Sequence, residues 1–120
     1  MNIDLPILAF IDHTELRAWL KRNHASSGGI FVRVYKKSSG VKSVSFEDVL
    51  EEGLCFGWSE SVRLKGDEQS YLQKFTPRRT IGTTSERNRR YAARLIAEGR
   101  MQPAGLAALG LKPSSSLHHE

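Results

Sequence analysis

Two neighbouring stretches with the alternating pattern of β-strands constrain the fold of this 120-residue chain more than any other feature. Residues 56–65 and 69–75 form the two stretches, and Gly66-Asp67-Glu68 supplies a turn between them. The pattern predicts an antiparallel hairpin that ends at Pro77, because proline has no N–H to donate to a neighbouring strand. Alternate residues of the first stretch are predicted to share one face: Trp58, Glu60, Val62 and Leu64.

Three amphipathic segments, each preceded by a residue suited to cap a helix, predict the main helices. In each segment the capping residue stands three positions before an acidic residue, which is the spacing of a capping box. The pairs are Asp12 with Glu15, Ser45 with Asp48, and Thr83 with Glu86. Arg17 takes the polar face of the first helix, and Glu52 lies outside the apolar stripe of the second. Pro103 predicts the start of a fourth, short helix over residues 104–109.

Three further segments predict the rest of the sheet. Residues 7–10 suit an edge strand or a packed extension, 30–37 alternate as a strand, and 41–44 suggest a short return strand. The resulting order of elements predicts an α+β fold: a small, mainly antiparallel sheet packed with about four helices. Because no repeat or long linker divides the chain, residues 1–112 are predicted to form a single domain, followed by a disordered tail at 113–120.

Several features bear on where the protein works. No apolar run approaches the roughly 20 residues that span a bilayer. The N-terminus lacks the basic start and the cleavage site of a secretory signal. Cys55 is the only cysteine, so an internal disulfide is excluded, which suits a reducing compartment. These features predict a cytoplasmic location.

The positive charge of the chain is concentrated in one segment. The net charge is +5, and residues 74–100 contain eight basic residues against two acidic ones, whereas the remainder contains ten basic and eleven acidic residues. Seven of the eight are arginine, which favours bidentate contact with phosphate or carboxylate groups. A solvated basic helix face is the alternative interpretation.

A candidate ligand site surrounds the loop that follows the hairpin. It comprises Trp58, Glu60, Arg78, Arg79, Ser85 and Asn88. Because Glu60 is predicted to share a face with Trp58, its carboxylate would be partly buried and would need a partner. Arg78 or Arg79 can supply that partner, either in a structural ion pair or in a pocket that accepts an anionic ligand. Trp58 is either a core aromatic residue or a wall of that pocket.

Other kinds of site have little support. His13 and His24 are isolated and no set of residues has metal-ligand spacing, so neither a metal nor a cofactor is predicted. Cys55 lies between apolar residues, as core cysteines do, and no Gly-rich phosphate loop or Gly-x-Ser-x-Gly elbow is present. The remaining catalytic hypothesis uses Glu60 as a general acid or base, with arginine stabilising an anion.

An ordered series of motifs carries a family resemblance over about residues 14–110. The strongest are Leu54-Cys55-Phe56-Gly57-Trp58, then Tyr71-Leu72-Gln73-Lys74-Phe75-Thr76-Pro77-Arg78-Arg79, then Arg94-Leu95-Ile96-Ala97-Glu98-Gly99-Arg100-Met101. With these motifs the chain resembles the YdeI/OmpD-associated family of small bacterial proteins, often labelled bacteriocin-protection proteins. It departs from that family at Ser59-Glu60, where members have Ile-Asp, and in lacking a tryptophan between Gly82 and Ser85.

The resemblance implies a role in tolerance of envelope stress, including cationic antimicrobial peptides, and implies no established catalytic reaction. A basic protein is a poor direct trap for cationic peptides because like charges repel, so an indirect role is expected. The first functional hypothesis is therefore a non-enzymatic module that binds an anionic small molecule or an acidic protein segment. The alternative is nucleic-acid binding through one helix face bearing Arg87, Arg90 and Arg94.

Overall fold

The computed structural model describes residues 4–79 and 85–111. Within these ranges the chain forms four strands and four helices, which we number in chain order. The strands are β1 (Ile7–Ala9), β2 (Ile30–Tyr35), β3 (Trp58–Lys65) and β4 (Ser70–Pro77). The helices are α1 (His13–Asn23), α2 (Phe46–Phe56), α3 (Glu86–Ala97) and α4 (Pro103–Ala108), and a short 3-10 turn spans Lys37–Ser39.

The four strands form one sheet in the order β1-β2-β4-β3. β4 runs antiparallel to both of its neighbours, whereas β1 runs parallel to β2. The parallel pair arises because α1 crosses over between β1 and β2 and returns the chain in the same direction. The predicted α+β fold with a small sheet and four helices is confirmed, and the sheet is mixed rather than strictly antiparallel.

The predicted hairpin is present as β3 and β4, but the prediction that four residues of β3 share a face is wrong. The register shifts between Glu60 and Arg63, where β3 carries a bulge. An extra residue reverses the side on which the following side chains project. Trp58 therefore joins the main core, whereas Leu64 joins a small cluster with Phe31 and Leu72 on the opposite face.

The predicted return strand at residues 41–44 is wrong, because this segment forms no ladder with a neighbouring strand. Its backbone is instead held at two points. The N–H of Val44 donates to the carbonyl of Phe10 at 3.1 Å, and the hydroxyl of Ser43 accepts from the N–H of Tyr35 at the same distance. The side chain of Val44 is buried in the main core although the segment has no continuous strand pairing.

The helix starts follow the capping pattern at two of three predicted positions. Ser45 and Asp48 form a complete capping box at α2, and Asp12 accepts from the N–H of Glu15 at α1. For α3 the N-cap is Ser85, whose hydroxyl accepts from the N–H of Asn88 at 3.1 Å, so the predicted start two residues earlier is wrong. Thr83 itself, like residues 113–120, lies outside the described residues.

The main core lies between the sheet and the helices, all of which cover one face. Its largest fully buried side chains include Trp58, Phe75, Leu16, Leu20, Ile30, Leu54 and Leu95. α4 packs closely on α2, since a Cβ at Gly105 would collide with the carbonyl oxygens of Leu54 and Cys55. Within the described ranges, no helix is long and apolar enough to cross a membrane.

Candidate anion-binding site

The two segments that the sequence singles out meet at the end of α2. Gly57 ends this helix with φ of +78°, a left-handed conformation that glycine adopts without strain. The carbonyl of Gly57 then accepts a 2.9 Å hydrogen bond from the N–H of Arg78, and Trp58 pairs with Pro77 across the hairpin. The Gly-Trp segment thus fixes the backbone position of the Pro-Arg-Arg segment.

The indole of Trp58 lies in the core and not at a surface site. The residue is 1% exposed, and its ring packs against Trp19 and Phe75 with centroid distances of 5.7 and 5.0 Å. The indole N–H donates to the carbonyl of His24 at 3.3 Å, so its one polar group is already satisfied. Of the two interpretations of Trp58, the core aromatic residue matches its position.

A groove of about 360 Å³ opens beside the end of β4. We call it the cationic groove; it is lined by Asp4, Leu5, Gly28, Lys74, Thr76, Pro77, Arg78 and Arg79. Lys74 and Thr76 alternate along β4 and so project on the same side of the sheet, away from the helices. The described residues of the groove therefore combine three cationic side chains and a hydroxyl with a single carboxylate.

Arg78 is the unusual residue of this groove. Its side-chain Nε is buried and has no hydrogen-bond partner among the residues that the structure describes. Burial lowers the pKa of Arg78 from its ordinary value, and the negative charge of Glu60 acts in the opposite direction. A buried donor without an acceptor is unfavourable, and an anion in the groove would offer that acceptor.

Glu60 is partly buried as expected, but its ion-pair partner is different from the one predicted. Its carboxylate lies 3.9 Å from a terminal nitrogen of Arg87, at the start of α3. Within residues 4–79 and 85–111, neither Arg78 nor Arg79 forms an ion pair with it. Glu60 therefore acts on Arg78 only through the longer-range field that influences the pKa of Arg78.

Ser85 and Asn88 both serve the first turn of α3. The hydroxyl of Ser85 caps the helix, as described above, and Asn88 is buried. The side-chain oxygen of Asn88 accepts from the guanidinium of Arg87 at 3.1 Å. The structure thus gathers Glu60, Arg87 and Asn88 into one cluster, and places Arg78 and Arg79 in the cationic groove beside it.

The arginine ladder of α3 lines a separate, shallow groove of about 280 Å³ with Tyr91. Its charges are largely balanced by acidic neighbours. Arg90 pairs with Glu86 at 3.3 Å, and Arg94 pairs with Glu98 at 3.2 Å. Arg94 also pairs with Glu51 of α2. Arg87 faces Glu60. Each of the three guanidinium groups therefore already has a carboxylate partner.

A buried charge cluster went unrecognised in the sequence. Glu52 is fully buried, and its two oxygens accept from Arg17 and Arg100 at 2.7 Å each. Arg17 also donates to the carbonyl of Arg100 at 2.6 Å, so both arginines are held. The sequence pattern predicts both Arg17 and Glu52 on the polar faces of their helices, whereas in the structure their charged groups are largely buried. The sequence gives only a weak indication of this burial: Glu52 stands three residues after the core residue Val49, beside the apolar stripe of the helix.

Cys55 lies beside this cluster and is fully buried. Burial raises the pKa of the Cys55 thiol, although the neighbouring Arg17 and Arg100 oppose that effect. A thiol that stays protonated and excluded from solvent is a poor nucleophile. Across the part of the chain that the structure describes, no group of three or more His, Cys, Asp and Glu residues is arranged to hold a metal ion.

Comparison with known proteins gives one match. No curated protein and no solved structure is detectably similar to this chain. A family described as a domain of unknown function, DUF8412, matches residues 8–108, a range that includes every element from α1 to α4 and most of β1. That match brings no activity with it and leaves the YdeI/OmpD-associated resemblance a prediction. Because the match spans most of the sequence, the chain belongs to the DUF8412 family.

Proposed function

We propose that this protein is a non-enzymatic binding module that holds an anion in the cationic groove. The anion belongs either to a small molecule or to an acidic segment of another protein. The observation that carries the proposal is Arg78, which lines a groove with two further cations and whose buried Nε has no partner among the described residues. A buried donor without an acceptor is unfavourable in the protein alone, and charge-assisted hydrogen bonds from the guanidinium to an anion would offset that cost.

The pairing of charges supports this groove over the face of α3. Arg87, Arg90 and Arg94 each have a carboxylate partner, whereas Lys74, Arg78 and Arg79 form no ion pair with any described residue. An anion that binds to α3 must compete with those carboxylates. Of the described residues that line the cationic groove, Asp4 alone is acidic, so an anion that enters it meets little competition from them.

The biological setting of the proposal rests on the resemblance and not on the groove. A YdeI/OmpD-associated type of protein would act in tolerance of envelope stress or of antimicrobial peptides. A cationic groove repels cationic peptides, so the role is indirect, through an anionic ligand or acidic partner. We place the protein in the cytoplasm, where its single cysteine would remain reduced.

Thermal unfolding in the presence of nucleotides, phosphosugars and carboxylates tests the proposal. A ligand at ten times its Kd adds about 1.4 kcal/mol to the free energy of unfolding. For a chain of this size that gain corresponds to a rise in Tm of roughly 5 °C. The Arg78→Ala variant is expected to lose the rise, and the Arg90→Ala variant to keep it, because Arg90 lies on α3 away from the groove. No rise with any anion, together with unaltered behaviour of Arg78→Ala, would contradict the proposal.

Nucleic-acid binding through α3 is the second candidate. The observation in its favour is that Arg87, Arg90 and Arg94 line one groove with Tyr91. Aromatic residues among basic ones are typical of sites that bind single-stranded nucleic acid. Binding driven by phosphate contacts weakens steeply as salt rises. A gel shift at low salt that disappears at higher salt, and that is lost in Arg90→Ala but kept in Arg78→Ala, would favour this candidate over the cationic groove.

A further inference from the structure

The charge of the cationic groove indicates which class of anion it suits. Lys74, Arg78 and Arg79 bring three positive charges, and Asp4 brings one negative charge, so the groove has a net charge of about +2. We propose that its ligand is a small molecule carrying a phosphate monoester, bound as the dianion. This inference rests on the proposed function and makes it more specific.

The number of hydrogen-bond donors favours phosphate over a single carboxylate. Each guanidinium has five N–H donors in a planar fork, and the ammonium of Lys74 adds three more. Thr76 contributes a hydroxyl from the same side of β4. A carboxylate offers two oxygens and one charge, whereas a phosphate monoester offers three terminal oxygens and nearly two charges. The dianion therefore uses more of the donors and neutralises more of the charge.

The walls of the groove favour a ligand with a small organic body. Leu5 and Pro77 give the groove an apolar surface beside its cations, and a bare phosphate ion would leave that surface in contact with water. The volume of about 360 Å³ lies at the lower end of the range for small-molecule sites. The groove therefore suits a compact phosphorylated molecule better than an extended acidic chain.

The pH dependence of binding distinguishes a dianion from other anions. The charged groups that face Arg78 are Asp4, Lys74 and Arg79 in the groove and Glu60 on β3. Among the residues that the structure describes, no histidine lines the groove, and histidine is the side chain that ordinarily changes charge between pH 5 and 7.5. The dianion of a phosphate monoester takes up one proton near pH 6 and becomes the monoanion. A change of affinity over this range is therefore expected to come from the ligand.

Calorimetric titration with phenyl phosphate and with sulfate at pH 5.0 and 7.5 tests the inference. Phenyl phosphate is expected to bind roughly tenfold more tightly at pH 7.5, in proportion to its dianionic fraction. Sulfate remains a dianion at both values, so its affinity is expected to stay within about twofold. Arg78→Ala and Lys74→Ala are each expected to lower the affinity for phenyl phosphate at least tenfold, whereas Arg90→Ala is expected to leave that affinity unchanged. The Tm of each variant verifies that it is folded.

Control ligands distinguish failure of the phosphate inference from failure of the proposed function itself. If benzoate binds as tightly as phenyl phosphate at pH 7.5, the groove is an anion site and the dianion inference is wrong. If phthalate, a dicarboxylate, binds more tightly than phenyl phosphate, the affinity depends on the charge of the ligand and not on its phosphate group, which also overturns the inference. If no anion binds and Arg78→Ala behaves as the parent, the proposed function fails as well. A sulfate affinity that changes with pH as much as that of phenyl phosphate would assign the effect to the protein.

The source of the phosphate is decided by two further ligands. A hexose phosphate and a short phosphoserine peptide present the same monoester on a compact and on an extended body. Tighter binding of the hexose phosphate supports the small-molecule ligand. Tighter binding of the peptide, lost in Arg78→Ala, would overturn it in favour of a phosphorylated protein partner.

Discussion

Two groups of arginines in this protein have opposite surroundings. In the buried cluster, Arg17 and Arg100 meet at the fully buried carboxylate of Glu52, and both guanidinium groups are held by hydrogen bonds. In the cationic groove, Arg78 and Arg79 form no ion pair with any residue in the described ranges. Pairing with a carboxylate, and not the number of arginines, therefore separates the arginines that hold the fold from those available to a ligand.

The physical basis of the difference is the environment of each charge. Around Glu52 the surroundings exclude water, so each charge needs a partner of opposite sign. The cluster joins α1 and α2 to the segment that follows α3. The groove is open to water, which solvates Arg79 and Lys74 at little cost and leaves them free to exchange water for an anion.

Removing the charge of Glu52 is expected to have the largest effect. Glu52→Gln keeps the side-chain shape but leaves Arg17 and Arg100 without their shared carboxylate. Breaking a buried ion pair in this way costs about 3–5 kcal/mol. Urea denaturation measures the loss, with Glu86→Gln as the matched control, because that exposed pair with Arg90 contributes at most about 0.5 kcal/mol. A loss in Glu52→Gln no larger than in the control would remove the distinction between the two groups.

The two groups also predict different results for loss of an arginine. Arg17→Ala is expected to lower the free energy of unfolding by about 3 kcal/mol, because it leaves the carboxylate of Glu52 short of a partner. Arg78→Ala removes no ion pair among the described residues and is expected to change stability by less than about 1 kcal/mol. Urea denaturation of both variants without ligand provides the comparison. Equal losses would show that Arg78, too, holds the fold.

The thiol beside the buried cluster predicts a smaller, pH-dependent effect. Because burial raises the pKa of Cys55 above its ordinary value of 9.0, the folded state holds the proton where the unfolded state releases it. This contribution to stability is present below pH 9 and declines as pH rises toward the raised value, at up to about 1.4 kcal/mol per pH unit. Denaturation at pH 8 and 10 measures it. In Cys55→Ala the free energy of unfolding is expected to fall less between pH 8 and 10 than in the parent protein. An equal fall in both proteins would show that the Cys55 thiol is not responsible.

The smallest predicted effect concerns the one carboxylate of the groove. Asp4→Asn raises the net positive charge around Arg78 and Arg79, so a bound anion is expected to gain about two- to threefold in affinity. Titration of phenyl phosphate at low and high salt measures the gain, which screening is expected to reduce. Asp67→Asn is the control, since Asp67 faces Arg33 at the hairpin turn and does not line the groove. An equal gain in both variants would mean that net charge alone is responsible.

Much of the fold was predictable because its signals are local. Capping residues mark the starts of α1 and α2, alternation marks the hairpin, and Pro103 marks α4. The two wrong strand predictions have local causes that the alternation of apolar and polar residues does not reveal. The bulge after Glu60 reverses the faces of β3, and single hydrogen bonds hold Val44 and Ser43 where a strand was predicted.

The candidate site was only partly predictable. The sequence indicated the Gly-Trp and Pro-Arg-Arg segments, and the structure brings their backbones together through Gly57 and Arg78. However, Trp58 is buried in the core and Glu60 pairs with Arg87. The groove around Arg78 and Arg79 is therefore completed by other residues, namely Lys74, Thr76 and Asp4. Asp4 lies more than 70 positions from Arg78 in the chain, so no local pattern could have placed it in the same groove.

The sequence by itself determined the helices, the hairpin and the concentration of arginine between residues 74 and 100, since these depend on neighbours a few positions apart. Only the tertiary structure decided which arginines have partners. Glu52 lies 35 positions from Arg17 and 48 from Arg100, so packing of α1 and α2 must bring them together. The fold also leaves Arg78, just after the end of β4, without an ion pair to any described residue, because ion pairs form between groups that the fold brings close in space.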